Sequence, residues 1–362
     1  MENRIIVVGE LHIDLFYRAD VYSSLAKILS QNLFQNQQSY ISEEEIESKI
    51  LHIVNSTNKK IQGNSYLKRG GNGNNSSEIL AHLGANVDLL SVVGENSQWM
   101  LQELQELGIG TSNIYIKSSP TPISTIIEDP SITKILLASN CKKEMNFTDI
   151  QFPTHKFYPY NIVFITPFAP KFAPIYLAVP KHDKILAVTI ETQKIHNLAQ
   201  LELLNDHPCD ILFMNLQDIA TILQDCSFSQ TQTDISMNSQ QVIRNDLQIS
   251  HFAKIRVYTF GKKGVWICVS NKQPVHIPII SIKVRNRTGA GDTFAAAFLV
   301  EFNSRISSKE ELNHLDLDTL IKNVIACAKF ARIVAALKVK TGKSPTRSEI
   351  DLFIQNNSTV IN

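Results

Sequence analysis

Short runs of β-branched residues recur along the chain and alternate with segments whose apolar residues return every three or four positions. Ile5 to Val8, closed by Gly9, reads as a buried first strand with a turn at its carboxyl end. From Asn75 the pattern predicts a helix to about Leu83, a strand from Val87 to Val93 and a helix to Leu107. Strand-like pieces follow at Ile114 to Ile116 and Ile123 to Ile127, and Ile135 to Leu137 could pair with them. Further strands are predicted at Ile162 to Ile165, Ile185 to Thr189, Ile211 to Met214 and Ile255 to Thr259. Helical patterns at Thr293 to Glu301 and about Leu320 to Lys338 finish the core. Strands alternating with helices predict a mostly parallel sheet covered by helices on both faces.

Two stretches break this rhythm. Between about Ser23 and Asn55, Ser42 and Glu45 form a capping box ahead of Ile46, Ile50, Ile53 and Val54, which predicts one or two helices joined by the polar Gln31 to Ser39 stretch. The Ser/Gln/Thr-rich stretch from Cys226 to Gln241 reads as a solvated loop. The breaks at Gly63 and at Gly108 to Gly110 each join segments of similar composition, so the expectation is one principal domain with an appended smaller element.

Composition narrows the partners more than the chemistry. With 362 residues, 43% of them hydrophobic, the chain can bury a large core. Lys plus Arg number 35 against 34 for Asp plus Glu, so no broad field draws the protein to nucleic acid or to an anionic membrane. The five cysteines, Cys141, Cys209, Cys226, Cys268 and Cys327, lack the short paired spacing of a zinc site or redox dithiol and read as buried thiols. The apolar run near the N-terminus is too short for a signal peptide, and no stretch approaches a membrane span, so the expected compartment is the cytoplasm.

The strongest chemical signal is Arg287-Thr288-Gly289-Ala290-Gly291-Asp292-Thr293-Phe294, which leads into an Ala-rich helix. Small residues at a helix start leave outward N–H groups and a positive dipole end, a cradle for phosphate. A carboxylate at Asp292 could accept or orient the proton of an attacking hydroxyl, and the dipole is expected to keep it ionised. On local chemistry alone, an ordinary glycine turn with an acidic helix start explains the stretch as well.

A second turn, Gly70-Gly71-Asn72-Gly73-Asn74-Asn75-Ser76-Ser77, again precedes a helix and crowds backbone donors and amide side chains together. It follows no clear strand in the pattern and is not a dinucleotide fingerprint. Its alternative reading is a helix cap with a flexible lead-in. Asp14, five residues beyond Gly9, could grip two neighbouring hydroxyls or simply serve a turn. Thr259-Phe260-Gly261-Lys262-Lys263-Gly264 reads first as a plain hairpin, since no Walker A spacing follows its lysines.

Taken in order, these pieces resemble the PfkB family of carbohydrate kinases, which includes ribokinase, adenosine kinase and several sugar-phosphate kinases. Gly9 to Asp14 is similar to that family's first strand and sugar-binding Asp; Gly70 to Asn75, followed by Ala81-His82-Leu83-Gly84-Ala85, to its first signature; and Thr288 to Asp292 to its second. The resemblance implies an α/β, ribokinase-like three-layer sandwich as a single domain over 1–362, with a mostly parallel central sheet. It also implies a small lid at approximately 10–69 and 112–140 that carries a helical insertion. It implies ATP and magnesium, with Asp292 as catalytic base and Gly289, Ala290 and Gly291 as anion hole. Asp14, Gly71, Asn72 and Asn75 would bind the acceptor, a sugar or nucleoside. Thr259, Gly261 and Gly264 would line the ATP side, and Asn215 would reach the phosphate and magnesium region through water.

Departures from the family pattern mark specific expectations. Asn286-Arg287 stands where Asp-Thr is common, which puts activation by a monovalent cation in doubt. Asn215-Leu216-Gln217-Asp218 ends on an acid one methylene short of the expected Glu, so Asp218 would meet magnesium indirectly, through water. His12 replaces a polar amide and Asn72 a Lys, both on the acceptor side. The long segment from about Val21 to Tyr66, with Leu33-Phe34 apolar in a polar stretch, is either a surface insertion or a cover and subunit contact, the latter allowing a homodimer through the lid. Two alternatives remain at this stage. One is a sugar-phosphate kinase, for which Arg18, Lys68, Arg69 and Lys117 are candidate cations; the other is a non-catalytic ligand-binding protein on the same fold.

Overall fold

The computed structural model describes residues 3–18, 63–128, 135–138, 145–147, 150, 152–191, 195, 197–223, 239–285 and 288–357. The helices expected in 23–55, Leu33-Phe34, most of the Cys226 to Gln241 loop, Cys141, Cys226, Asn286 and Arg287 lie outside the described residues. The strands are β1 (Arg4–Gly9), β2 (His12–Arg18), β3 (Asn64–Gly70), β4 (Asn86–Gly94), β5 (Ile114–Lys117), β6 (Ile123–Glu128), β7 (Ile135–Ala138), β8 (Ile162–Thr166), β9 (Ile185–Ile190), β10 (Cys209–Asn215), β11 (Ala253–Thr259), β12 (Val265–Val269) and β13 (Val275–Ile277). The helices that matter for the site are α1 (Asn72–His82), α2 (Gln98–Glu106), α3 (Leu216–Ile222), α4 (Ser239–Ile249), α5 (Ala290–Arg305) and α6 (Leu317–Thr341).

The chain divides into two units, the first formed by Met1–Leu11, Gly71–Pro120 and Lys143–Asn362. Its nine-stranded sheet runs β13-β12-β11-β10-β9-β8-β1-β4-β5. Every pair from β11 to β5 is parallel, while β12 and β13 form an antiparallel edge. All residues of β8 and β9 are buried, as the uninterrupted apolar runs IVFIT and ILAVTI require of strands covered on both faces. Helix α5 is apolar nearly all round, with Ala295 to Leu299 buried, and it packs on α6 and α1; Phe298 meets Phe213 of β10 edge to face at 5.3 Å. Cys209, Cys268 and Cys327 are free and buried. Burial pushes each of these thiols up, which makes them poor nucleophiles.

The second unit is His12–Gly70 with Thr121–Lys142, and its sheet runs β3-β2-β6-β7. Ile114–Lys117, expected within the later lid piece at 112–140, instead hydrogen-bonds to β4 as the edge of the first unit's sheet. Along the β2–β3 pair, Asp14 stands opposite Lys68, Phe16 opposite Tyr66 and Arg18 opposite Asn64. The Phe16 and Tyr66 rings stack at 4.9 Å. A clear strand, β3, does precede the Gly70 turn, contrary to the reading of the sequence. Most of its residues are exposed, so it has no buried face to write a period of two into the sequence.

Candidate functional site

Helix α5 begins abruptly because Gly289 adopts φ 73, a left-handed conformation open to glycine, and Thr293 N–H already donates to Gly289 O at 2.9 Å. The N–H groups of Ala290, Gly291 and Asp292 precede that first helical bond and make up the positive end of the helix. Gly291 is exposed, whereas Asp292, one residue on, is only 8% exposed.

The first turn of α1 is brought up to the end of β1 by two glycines. A Cβ at Gly9 would lie 2.5 Å from Thr166 O and 2.6 Å from the Gly73 Cα, and one at Gly73 would lie 2.7 Å from the Gly9 carbonyl carbon. The backbones therefore touch, and Asn74 N–H donates to Glu10 O at 3.2 Å. Gly71, at φ 97, turns the chain into α1. This placement sets Asn72 and Asn75 against α5. Asn72 Nδ2 donates to Asp292 Oδ1 at 3.0 Å, and Asn75 Nδ2 donates to Asp292 Oδ2 at 3.1 Å. Asn72 Nδ2 donates in addition to Glu191 Oε1 at 3.0 Å.

Burial is the largest influence on Asp292 and raises its pKa above the ordinary carboxylate value; the Asn72 and Asn75 hydrogen bonds and the Lys338 charge oppose it without cancelling it. Burial thus works against the ionisation that the helix dipole favours. A dry carboxylate with a raised pKa is a stronger proton acceptor than a solvated one.

Asp292 and Gly291 line a cavity of about 300 Å³ together with Thr189, Glu191, Asn215, Asp218 and Thr259, over an apolar wall that includes Phe213, Met214 and Phe294. Asn215 and Thr259 are register partners at the carboxyl ends of β10 and β11, and Asp218 sits in the first turn of α3. Open α/β sheets bind ligands at this end of their strands. Gly261 and Gly264 occupy the short turn between β11 and β12, as a hairpin reading requires. At Gly264, φ is 94 and a Cβ would lie 2.3 Å from Ile277 O.

Asp14 belongs to the second unit. Its carboxylate lies over Gly70, where a Cβ would come within 2.3 Å of it, and His12 Nε2 stands 3.2 Å from Asp14 Oδ1. Of the four candidate cations, Lys68 and Arg18 share a face with Asp14, Arg69 falls on the alternate face, and Lys117 is part of the first unit and bonded to Asn146.

Two polar residues of the site escaped the sequence reading. Glu191 follows the last residue of β9, at the carboxyl end of a parallel strand where open α/β sheets bind ligands, and that position is the signal that could have found it. Lys338, in the last turn of α6, bears on Asp292 only through the packing of α6 on α5, and nothing local to it signals this. Among the described residues, no group of three or more His, Cys, Asp or Glu could hold a metal, and no helix is long and apolar enough to cross a membrane.

A sequence model described as pfkB family carbohydrate kinase matches residues 47–349. No curated protein matches the chain. Among solved structures, ribokinase from Giardia lamblia is similar with TM-score 0.71 and 16% identity, over 97% of this chain and 99% of that one. A nucleoside kinase from Methanocaldococcus jannaschii, described as an archaeal member of the ribokinase family, gives 0.63 and 19%, over 98% and 99%. Ribokinase from Arabidopsis thaliana, solved with ribose and ATP, gives 0.64 and 17%, over 98% and 99%.

Proposed function

The chain belongs to the PfkB family of carbohydrate kinases, and on that premise we propose that it transfers the γ-phosphoryl group of ATP to a hydroxyl of a sugar or nucleoside. The observation that carries this reading is Asp292: a buried carboxylate, fixed through both oxygens by Asn72 and Asn75, in the first turn of a helix and on a cavity.

In this reading, Asp292 takes the proton of the acceptor hydroxyl as its oxygen bonds to phosphorus and the bond to the ADP oxygen breaks. The N–H groups of Gly289, Ala290 and Gly291 stabilise charge on the migrating group, and they cost no reorganisation because the helix already orients them. With its amide N–H atoms committed, Asn72 offers its Oδ1 to an acceptor hydroxyl. Gly71 and Asn75 complete that wall, and Asp14 supplies a double acceptor for two neighbouring hydroxyls. Thr259 and Asn215 lie on the nucleotide side, with Gly261 and Gly264 shaping the turn beyond it.

Asp218 and Asn215 bring hard oxygens to the cavity, which fits magnesium, an ion that keeps several of its waters, with both residues reaching it through that water. Bound there, magnesium would neutralise phosphate charge. The cytoplasm, where ATP and magnesium are both abundant, suits this chemistry.

The test is ADP release across sugars, nucleosides and sugar phosphates, with magnesium and with or without potassium. Turnover is expected with a sugar or nucleoside, and Asp292→Asn should lower it by roughly 100-fold or more. Full activity in that variant removes the assignment. Ligand binding with no ADP release from any acceptor would favour a non-catalytic role.

A further inference from the structure

We infer that Glu191 is a positioning residue for Asp292 and that it acts through Asn72. The inference rests on the reading of Asp292 as the base. An amide nitrogen carries two hydrogens, and Asn72 Nδ2 spends them on two acids, Asp292 Oδ1 and Glu191 Oε1, each at 3.0 Å. Turned the other way, the amide would set its own oxygen against two carboxylate oxygens. The pair of acids therefore decides which way Asn72 faces, and with it which atom is offered to the acceptor.

The three partners come from separate elements. Asn72 is the first residue of α1, Glu191 follows β9, and Asp292 lies in the first turn of α5. With Glu191 in place, Asn72 is tied to the rigid carboxyl edge of the sheet and holds Asp292 Oδ1 from a fixed point. Asn75 fixes only Oδ2, which leaves the carboxylate a pivot. Without Glu191, Asn72 and Asp292 would remain bonded to each other but could swing together about that pivot. Misplacement of that kind reaches the chemical step before it reaches ground-state binding.

The role requires an acceptor atom at position 191 and no charge, which separates it from a direct role toward phosphate or metal. Glu191→Ala should lower kcat about tenfold, short of the about 100-fold that an ångström of misplacement costs, with KM for ATP nearly unchanged. Glu191→Gln, whose Oε1 accepts the same bond, should restore most of the lost kcat. In an Asn72→Ala background, Glu191→Ala should cost nothing further, because the coupling runs through the missing amide.

The inference is overturned if Glu191→Gln is as impaired as Glu191→Ala, if the loss falls on KM for ATP or on magnesium dependence, or if the two substitutions add. Asp292→Asn measured alongside separates the failures. Full activity there removes the base itself, whereas an inactive Asp292→Asn beside an unimpaired Glu191→Ala removes only the role of Glu191.

Discussion

The two sheets of this protein are made of strands of similar length, yet β3 in the smaller one is exposed where β8 and β9 in the larger one are buried. In the nine-stranded sheet, β8, β9 and most of β10 are buried on both faces, and apolar transfer from water stabilises them whatever their neighbours across the ladder. In the four-stranded sheet, β3 exposes most of its residues, with Leu67 56% exposed. Among the described residues of that sheet, cross-strand contacts such as the Phe16–Tyr66 stack, with the Lys68 amine over both rings, add to backbone pairing. The carboxylate proposed as the base, Asp292, stands on a helix packed into the first kind of structure. Asp14 stands on the second kind, where local opening costs less.

The sharpest way to break the contrast is to attack the interior of the larger sheet. Arg256 is fully buried on β11, paired through Nε at 2.6 Å and Nη2 at 2.9 Å with Asp246 of α4, and its remaining donors reach the carbonyls of Ser250, Ala253 and Ser270. Arg256→Ala leaves Asp246 buried without its counter-charge and should cost about 3–5 kcal/mol in urea unfolding. Next in size is Gly9→Ala, which drives a methyl into Thr166 O and Gly73. It should cost about 1–3 kcal/mol and lower activity as well, since the same contact seats α1.

A subtler probe reads the dryness of the site. As the proposed base, Asp292 would act only when deprotonated, and burial already raises its pKa. Asn75→Ala removes a donor that favours the charged form, so the pKa should rise further and the acidic limb of kcat/KM should move to higher pH. A limb that stays in place would mean that Asn75 does not tune this group. The smallest effect belongs to the other sheet: Leu67→Ser should change stability by no more than about 0.5 kcal/mol. In hydrogen exchange, β3 amides should be protected less than those of β8.

The same contrast explains what could be read in advance. The strands of the larger sheet were legible because burial on both faces writes continuous apolar runs such as Ile162 to Ile165 and Ile185 to Thr189. The helix starts at Gly71 and Gly289 were legible because their glycines take positive φ, a local demand with a local signature. β3 was not legible, because an exposed strand needs no particular pattern.

By itself, then, the sequence determined the order of elements, the two glycine turns and the presence of an acid at 292, all matters of neighbouring residues. Only the tertiary structure decided what that acid meets. Asn72 lies 220 positions from Asp292 and 119 from Glu191, and the direction in which burial moves Asp292 depends on every element packed around it. Hydrogen-bond partners and local dryness are properties of assembled surfaces. A chain read one residue at a time carries no record of which of its distant segments will share a wall.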